Sequence, residues 1–361
     1  MPFFAFNHVS IVGISSAIPQ DFVELDAFNP SFGGDVVAKF KKMTGIKKFH
    51  KALKGQTASD LGFVAAQKLI EKRQVDINKI GIIVFVTKTP DYRVPATACV
   101  LHKRLKLPKD CIAFDINLGC SGFVYGIQVV GSLLENVNTR YGLLIVGDTT
   151  TKVVCPQDKS VAMLFGDGAS ATLLEKKNEA GSINVQTKSD GEGFKAIIIP
   201  AGGFRFQNVP GECRVWEDGN TRSDYDLYVN GTDVFNFSMT EVPRLVKEYL
   251  ENNQLQADDF DCFAFHQANE FMLKQIIKKA KLPAAKVPIN ISKYGNTSGN
   301  SIPLLLADIY GESDDRNIRV LACGFGVGLS WGVADFTVNT KDVLPVIETN
   351  DYYQEAAVSH E

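Results

Sequence analysis

Apolar residues along the chain fall into short runs separated by polar, glycine-bearing corners. Runs rich in β-branched and aromatic residues predict strands over His8–Ile14, Ile80–Val86, Cys111–Ile116, Tyr141–Gly147 and Ala169–Leu174. Apolar positions at helical spacing predict helices over Ser59–Arg73, Pro95–Leu105 and Gly122–Asn136. The second half repeats the alternation. It predicts strand Gly193–Pro200, helix Val234–Asn252, strand Asp261–Phe265, helices Glu270–Lys281 and Ser301–Tyr310, and strands Ile318–Ala322 and Ser330–Val338. Such alternation predicts an α/β fold. Both halves send a strand into a polar glycine corner, which points to an internal duplication. Residues 201–226 lack periodicity and read as a long excursion. Residues 339–361 are polar and read as a loosely held tail.

One run raises a second possibility. Ile116 to Leu134 carries no charge and is long enough for a membrane helix to be considered. Asn117, Ser121, Gln128 and Ser132 interrupt it and glycines thin it, so it reads as a helix buried inside the protein. The opening MPFFAFNHVSIVGI has neither a basic n-region nor a small-residue cleavage site, and reads as a strand.

Composition narrows the picture. The chain has 361 residues, 45% of them hydrophobic, with a net charge of -3. That predicts a soluble globular protein and gives no reason to expect nucleic acid. Its seven cysteines are odd in number and no secretion signal precedes them, which predicts reduced thiols in a cytoplasm. No C-x-x-C, H-x-x-x-H or H-E-x-x-H spacing occurs, so a metal site is unsupported.

Three corners carry candidate chemistry. Cys120 lies in Gly-Cys-Ser-Gly, where a strand meets a helix. A helix N-terminus favours thiolate, and flanking glycines admit a ligand to the backbone. Taken alone, Cys120 reads as a buried structural cysteine. His266, in His-Gln-Ala-Asn, ends a strand ahead of a helix; alone, it reads as a satisfied core histidine. Asn296, in Gly-Asn-Thr-Ser-Gly-Asn, sits in a loop that turn and N-cap chemistry would explain by itself. A fourth stretch, Cys323–Gly332, has alternate glycines. They lead into a strand rather than a helix, which excludes a dinucleotide fold and suits a loop pressed against a ligand or nucleophile. Gly328-Leu329-Ser330-Trp331-Gly332 has the G-x-S-x-G spacing, but it too leads into a strand rather than a helix, so it is not a serine-hydrolase elbow.

Cys in GCSGF, His in HQAN, Asn in GNTSGNS and a glycine loop ending in SWG occur in that order. With FGDGAS at Phe165–Ser170 and TGI at Thr44–Ile46, they resemble the β-ketoacyl-acyl carrier protein synthase III family of the thiolase superfamily, over roughly residues 8 to 338. The resemblance implies a thiolase-like five-layered αβαβα fold of two similar halves, 1–177 and 178–361, working as a homodimer. It implies Cys120 as acyl-accepting nucleophile and His266 and Asn296 as donors to a second substrate. Oxyanion donors would be the backbone of Cys120 and of Gly326, Val327 and Gly328, where Val327 replaces a usual glycine. The implied reaction is a decarboxylative Claisen condensation with malonyl-acyl carrier protein, with no metal or organic cofactor.

The chain departs from the housekeeping members of that family. Lys39 and Met43 stand where a tryptophan and an arginine clasp adenine. Phe271 and Lys159 replace two further arginines. Asn269 is retained, and Gly231 and Val94 join Asn269, Phe271 and Lys159 as expected substrate contacts. These departures suit a specialised relative that takes acyl groups from acyl carrier protein. Lysines from Lys39 to Lys54, and Lys274, Lys278 and Lys279, are expected docking points for that acidic partner. Two alternatives stay open: an acyltransferase without decarboxylation, and an inactive partner subunit.

Overall fold

A computed structural model describes residues 3–177 and 182–354. Its main strands in chain order are β1 (Phe3–Phe6), β2 (Val9–Pro19), β3 (Ile80–Val86), β4 (Ile112–Ile116), β5 (Tyr141–Asp148), β6 (Gly168–Lys176), β7 (Ile183–Ser189), β8 (Cys262–Phe265), β9 (Asn317–Gly326), β10 (Ser330–Asn339) and β11 (Ile347–Thr349). Its main helices are α1 (Gly34–Thr44), α2 (Ala58–Arg73), α3 (Thr97–Arg104), α4 (Gly122–Asn136), α5 (Gly231–Asn252), α6 (Glu270–Ala280) and α7 (Ser301–Tyr310).

Two mixed sheets organise these elements. One has the order β11-β2-β6-β5-β3-β4, the other β1-β7-β10-β9-β8. Within them, β2-β6-β5-β3 and β7-β10-β9-β8 repeat one pattern: two antiparallel pairings, then a parallel one. The expected division at 177/178 borders residues 178–181, which lie outside the described residues. Each chain end crosses to the other half's sheet, β1 pairing with β7 and β11 with β2.

Helices α4 and α7 lie between the sheets, in a core that joins Phe123, Ile127, Val130 and Leu134 to Ile302, Leu305 and Leu306. Helices α2 and α3 cover the outer face of the first sheet, and α5 and α6 that of the second. Five layers of thiolase type result. The uncharged run is therefore α4, sandwiched on two faces by sheets. Each large side chain it buries contributes roughly 1.5–3 kcal/mol. Among the described residues, no helix is long and apolar enough to cross a membrane.

Two expectations need correction. Gly193–Pro200 is not a sheet strand; only Ile197–Ile198 pairs, with Tyr228–Val229. The sheet strand lies earlier, at β7, where Gln186 and Lys188 mask the alternation of the inward Val185 and Thr187. The tail is docked as far as the described residues extend. β11 pairs with β2, and Gln56 Nε2 donates to the carbonyls of Thr349 (3.1 Å) and Asp351 (3.0 Å). Backbone pairing over three residues leaves no hydropathy signal. Residues 355–361 lie outside the described residues. The 201–226 excursion is pinned to the body of the protein. Arg222 is fully buried, paired with Asp158 (2.5 Å) and Asp218 (2.7 Å) and stacked near Trp216.

Candidate active site

The ends of β8 and β9, the β4–α4 corner and the 294–300 loop converge on a cavity of about 430 Å³. Cys120, His266, Asn296, Gly326 and Val327 line its buried end, together with Lys88. Cys120 stands on the turn before α4 and is 9% exposed. Burial pushes its thiol up, against the opposing charge of Lys88. Desolvation outweighs the charge of Lys88 at this sulfur, which the sequence does not show.

His266 is also buried. Its Nδ1 lies 2.7 Å from Ser301 Oγ, which accepts the Gln267 N–H at 3.3 Å. Burial holds the ring down to about 3, so it is neutral near pH 7. The Asn296 side chain is oriented by its oxygen: Oδ1 accepts the Ser298 N–H at 2.9 Å, which turns the amide NH2 away from that bond. Its backbone is clamped by residues 164–166, where the FGDGAS motif begins. Asn296 N–H donates to Leu164 O (2.9 Å), and Gly166 N–H donates to Asn296 O (3.1 Å). A Cβ at Gly166 would lie 2.1 Å from the Tyr294 carbonyl, so the motif's glycine is what lets the two loops meet. At Gly326 a Cβ would lie 2.7 Å from Cys120 Cβ and 3.0 Å from its sulfur. The β9 glycine loop is thus pressed on the cysteine.

Residues 114–191 match 3-oxoacyl-[acyl-carrier-protein (ACP)] synthase III, and residues 250–337 match the C-terminal part of the same family. A Clostridioides difficile protein named beta-ketoacyl-[acyl-carrier-protein] synthase III is 34% identical over 326 residues, covering 90% of this chain and 96% of that one. The chain belongs to the 3-oxoacyl-[acyl-carrier-protein] synthase III family. A Clostridium perfringens protein of the same name is 33% identical, with 91% and 98% covered. The crystal structure of a 3-oxoacyl-(acyl-carrier protein) synthase from Burkholderia xenovorans LB400 superposes with a TM-score of 0.89 at 36% identity, covering 96% of this chain and 99% of that one.

In this member of the synthase III family the cavity mouth is apolar. Phe40, Met43, Phe235 and Phe271 line it, with Gly231 and Asn269. Phe271 stacks on Phe235 at 6.1 Å between ring centres. Asn269 also caps α6, its Oδ1 accepting the Met272 N–H at 2.7 Å. Three expected residues lie elsewhere. Gly328 is off the cavity wall, and Lys159 and Val94 are exposed outside it, Val94 at 82%. Lys39 is exposed too, while its neighbours Phe40 and Met43 face the cavity. Of the docking lysines, Lys278 is exposed, Lys274 pairs with Glu270 (2.6 Å) and Lys279 donates to the Met239 carbonyl (3.1 Å).

Sequence reasoning missed Lys88. A lone charge directly after the wholly apolar β3 was the available signal. It also missed a group away from the cavity. Cys155, Cys213 and Asp226 bring three ligand-capable atoms within 4.8 Å of one another, from positions too far apart in sequence to form a spacing motif.

Proposed function

We propose that Cys120 accepts the acyl group from an acyl thioester and that His266 and Asn296 then drive condensation with malonyl-acyl carrier protein, giving a 3-oxoacyl thioester. The observation that carries this reading is the meeting of Cys120, His266 and Asn296 at the buried end of one cavity. Thiolate attack on the acyl thioester forms the acyl-cysteine and expels the carrier thiol. The malonyl thioester then loses carbon dioxide. Its enolate oxygen takes hydrogen bonds from His266 Nε2 and the Asn296 amide, and its carbon attacks the acyl-cysteine. The tetrahedral oxyanion is held by backbone N–H groups of Cys120 and of the loop at Gly326 and Val327, and collapse frees the cysteine.

A neutral His266 supports this reading, because it donates a hydrogen bond without removing a proton. Asn296 argues against a plain acyltransferase, which would need no enolate donor, and against an inactive subunit. The chemistry calls for no metal or organic cofactor. The family resemblance supports a homodimer working in the cytoplasm. The apolar mouth supports a carrier-bound donor over coenzyme A, because adenine lacks a cationic or indole clasp there.

The test is mass spectrometry of the intact protein with a panel of acyl-carrier thioesters, paired with carbon dioxide release from malonyl-carrier protein. One acyl mass on Cys120, absent from Cys120→Ala, is expected. Asn296→Ala should keep the adduct yet lose about 100-fold in carbon dioxide release. An adduct on Cys155 or Cys323, or wild-type release by Asn296→Ala, would overturn the assignment.

A further inference from the structure

The reaction above leaves a buried cation without a role. Lys88 follows β3 into the inner cavity wall, and its side chain is 14% exposed. Its Nζ lies 3.0 Å from Asp148 Oδ2, 2.7 Å from Thr150 Oγ1 and 3.3 Å from Ser298 Oγ. Two of its hydrogens go to Thr150 and Ser298 and its charge is paired with Asp148, so Lys88 is engaged chiefly with its neighbours. The informative neighbour is Ser298. Its hydroxyl oxygen accepts from Lys88 and lies 4.0 Å from Cys120 Sγ, so its own hydrogen is available to the sulfur.

We propose that Lys88 is a positioning residue for the nucleophile: clamped by Asp148 and Thr150, it aims the Ser298 hydroxyl at Cys120 and supplies the positive charge that the buried thiolate needs. This rests on Cys120 as nucleophile and is independent of the decarboxylation step.

The charges around the sulfur agree. Lys88 and Asp148 face it from the ends of β3 and β5, and His266 from the end of β8. The 294–300 loop brings the uncharged Asn296 and Ser298, and β9 brings Phe325, Gly326 and Val327. Burial is the largest influence on Cys120 and raises its proton affinity. Lys88 is the next largest and lowers it, and Asp148 raises it by less. His266 is neutral, partly because Lys88 repels a proton there as well. One cation thus favours a negative sulfur and a neutral imidazole together. Lys88 and Asp148 oppose one another at the sulfur with Lys88 the stronger, and the low dielectric of the buried site enlarges the difference between them.

The test is the rate at which iodoacetamide alkylates Cys120 in the resting enzyme, followed by peptide mass spectrometry across a pH series. The thiolate sulfur forms a bond to carbon, iodide leaves, and the thiol proton has already passed to buffer. Lys88→Met should slow alkylation near neutral pH by about tenfold, with the midpoint moved up by about one unit. Lys88→Arg should restore most of the rate, and Asp148→Asn should move the midpoint down. Ser298→Ala should move it up, and it keeps the idea testable if Lys88→Met does not fold. An unchanged midpoint in folded Lys88→Met, or in both Asp148→Asn and Ser298→Ala, overturns the proposal. Absence of an acyl adduct on wild-type Cys120 would instead sink the nucleophile assignment, whatever the alkylation profile shows.

Discussion

At the buried end of the cavity, Cys120, His266 and Asn296 are 9%, 1% and 5% exposed; at the mouth, Met43 and Phe271 are 54% and 51% exposed. The inner groups are each fixed by named bonds: His266 by Ser301, Asn296 by Ser298, Leu164 and Gly166, and Cys120 by the glycine loop pressed against it. The outer groups touch one another by packing, as in the Phe235–Phe271 stack, and have solvent on one side. A buried polar group has a single affordable arrangement, because an unpaired one costs about 1–3 kcal/mol. An exposed apolar side chain has many. The groups proposed to react are thus fixed deep in the fold, while the mouth is lined by side chains that substitution can change cheaply.

The comparison breaks most sharply at Gly326. Gly326→Ala places a methyl group 2.7 Å from Cys120 Cβ. Acylation of Cys120 should fall below detection in intact mass, although thermal unfolding still shows a folded protein. Acylation at the wild-type rate would mean that the inner wall gives way as easily as the mouth.

His266 offers the next test, with two readouts. His266→Asn should leave Cys120 acylation largely in place and reduce condensation by about 100-fold. It should also change acid stability. Folded His266 is held down to about 3, whereas the unfolded side chain titrates near 6.5. Between those values the unfolded state binds the extra proton, so the folded state loses stability as pH falls. The loss is roughly 1.4 kcal/mol per pH unit from this group. Chemical denaturation of wild type and His266→Asn at several acidic pH values should show a shallower slope in the variant. Parallel slopes would show that His266 is not held neutral by burial.

The smallest effect is expected at the mouth. Phe271→Arg returns a cation to a half-exposed position, where a surface ion pair contributes about 0–1 kcal/mol. Acylation from coenzyme A thioesters should rise by up to about fivefold, with little change from carrier-bound donors. A rise matched by both donors would mean that the mouth does not discriminate between them.

The alternation of apolar runs was enough to place β3 and α4, and the strings around Cys120, His266 and Asn296, in that order, were enough to name the family and to propose the reacting groups. Those features are local: a strand period, a helix period, and short strings that must stand beside one another to form a corner. Tertiary structure decided the rest. It set the docking of residues 343–354 and the position of β7, because backbone pairing leaves no mark on hydropathy. It put Met43, Phe235 and Phe271 at one mouth and left Val94 and Lys159 outside it. It also set the charge state of the site. The helix end at Cys120 was legible in the chain, but burial, Lys88 and Asp148 meet at the sulfur only after β3, β5 and the 294–300 loop have folded together, and desolvation is a property of that assembly rather than of any residue within it.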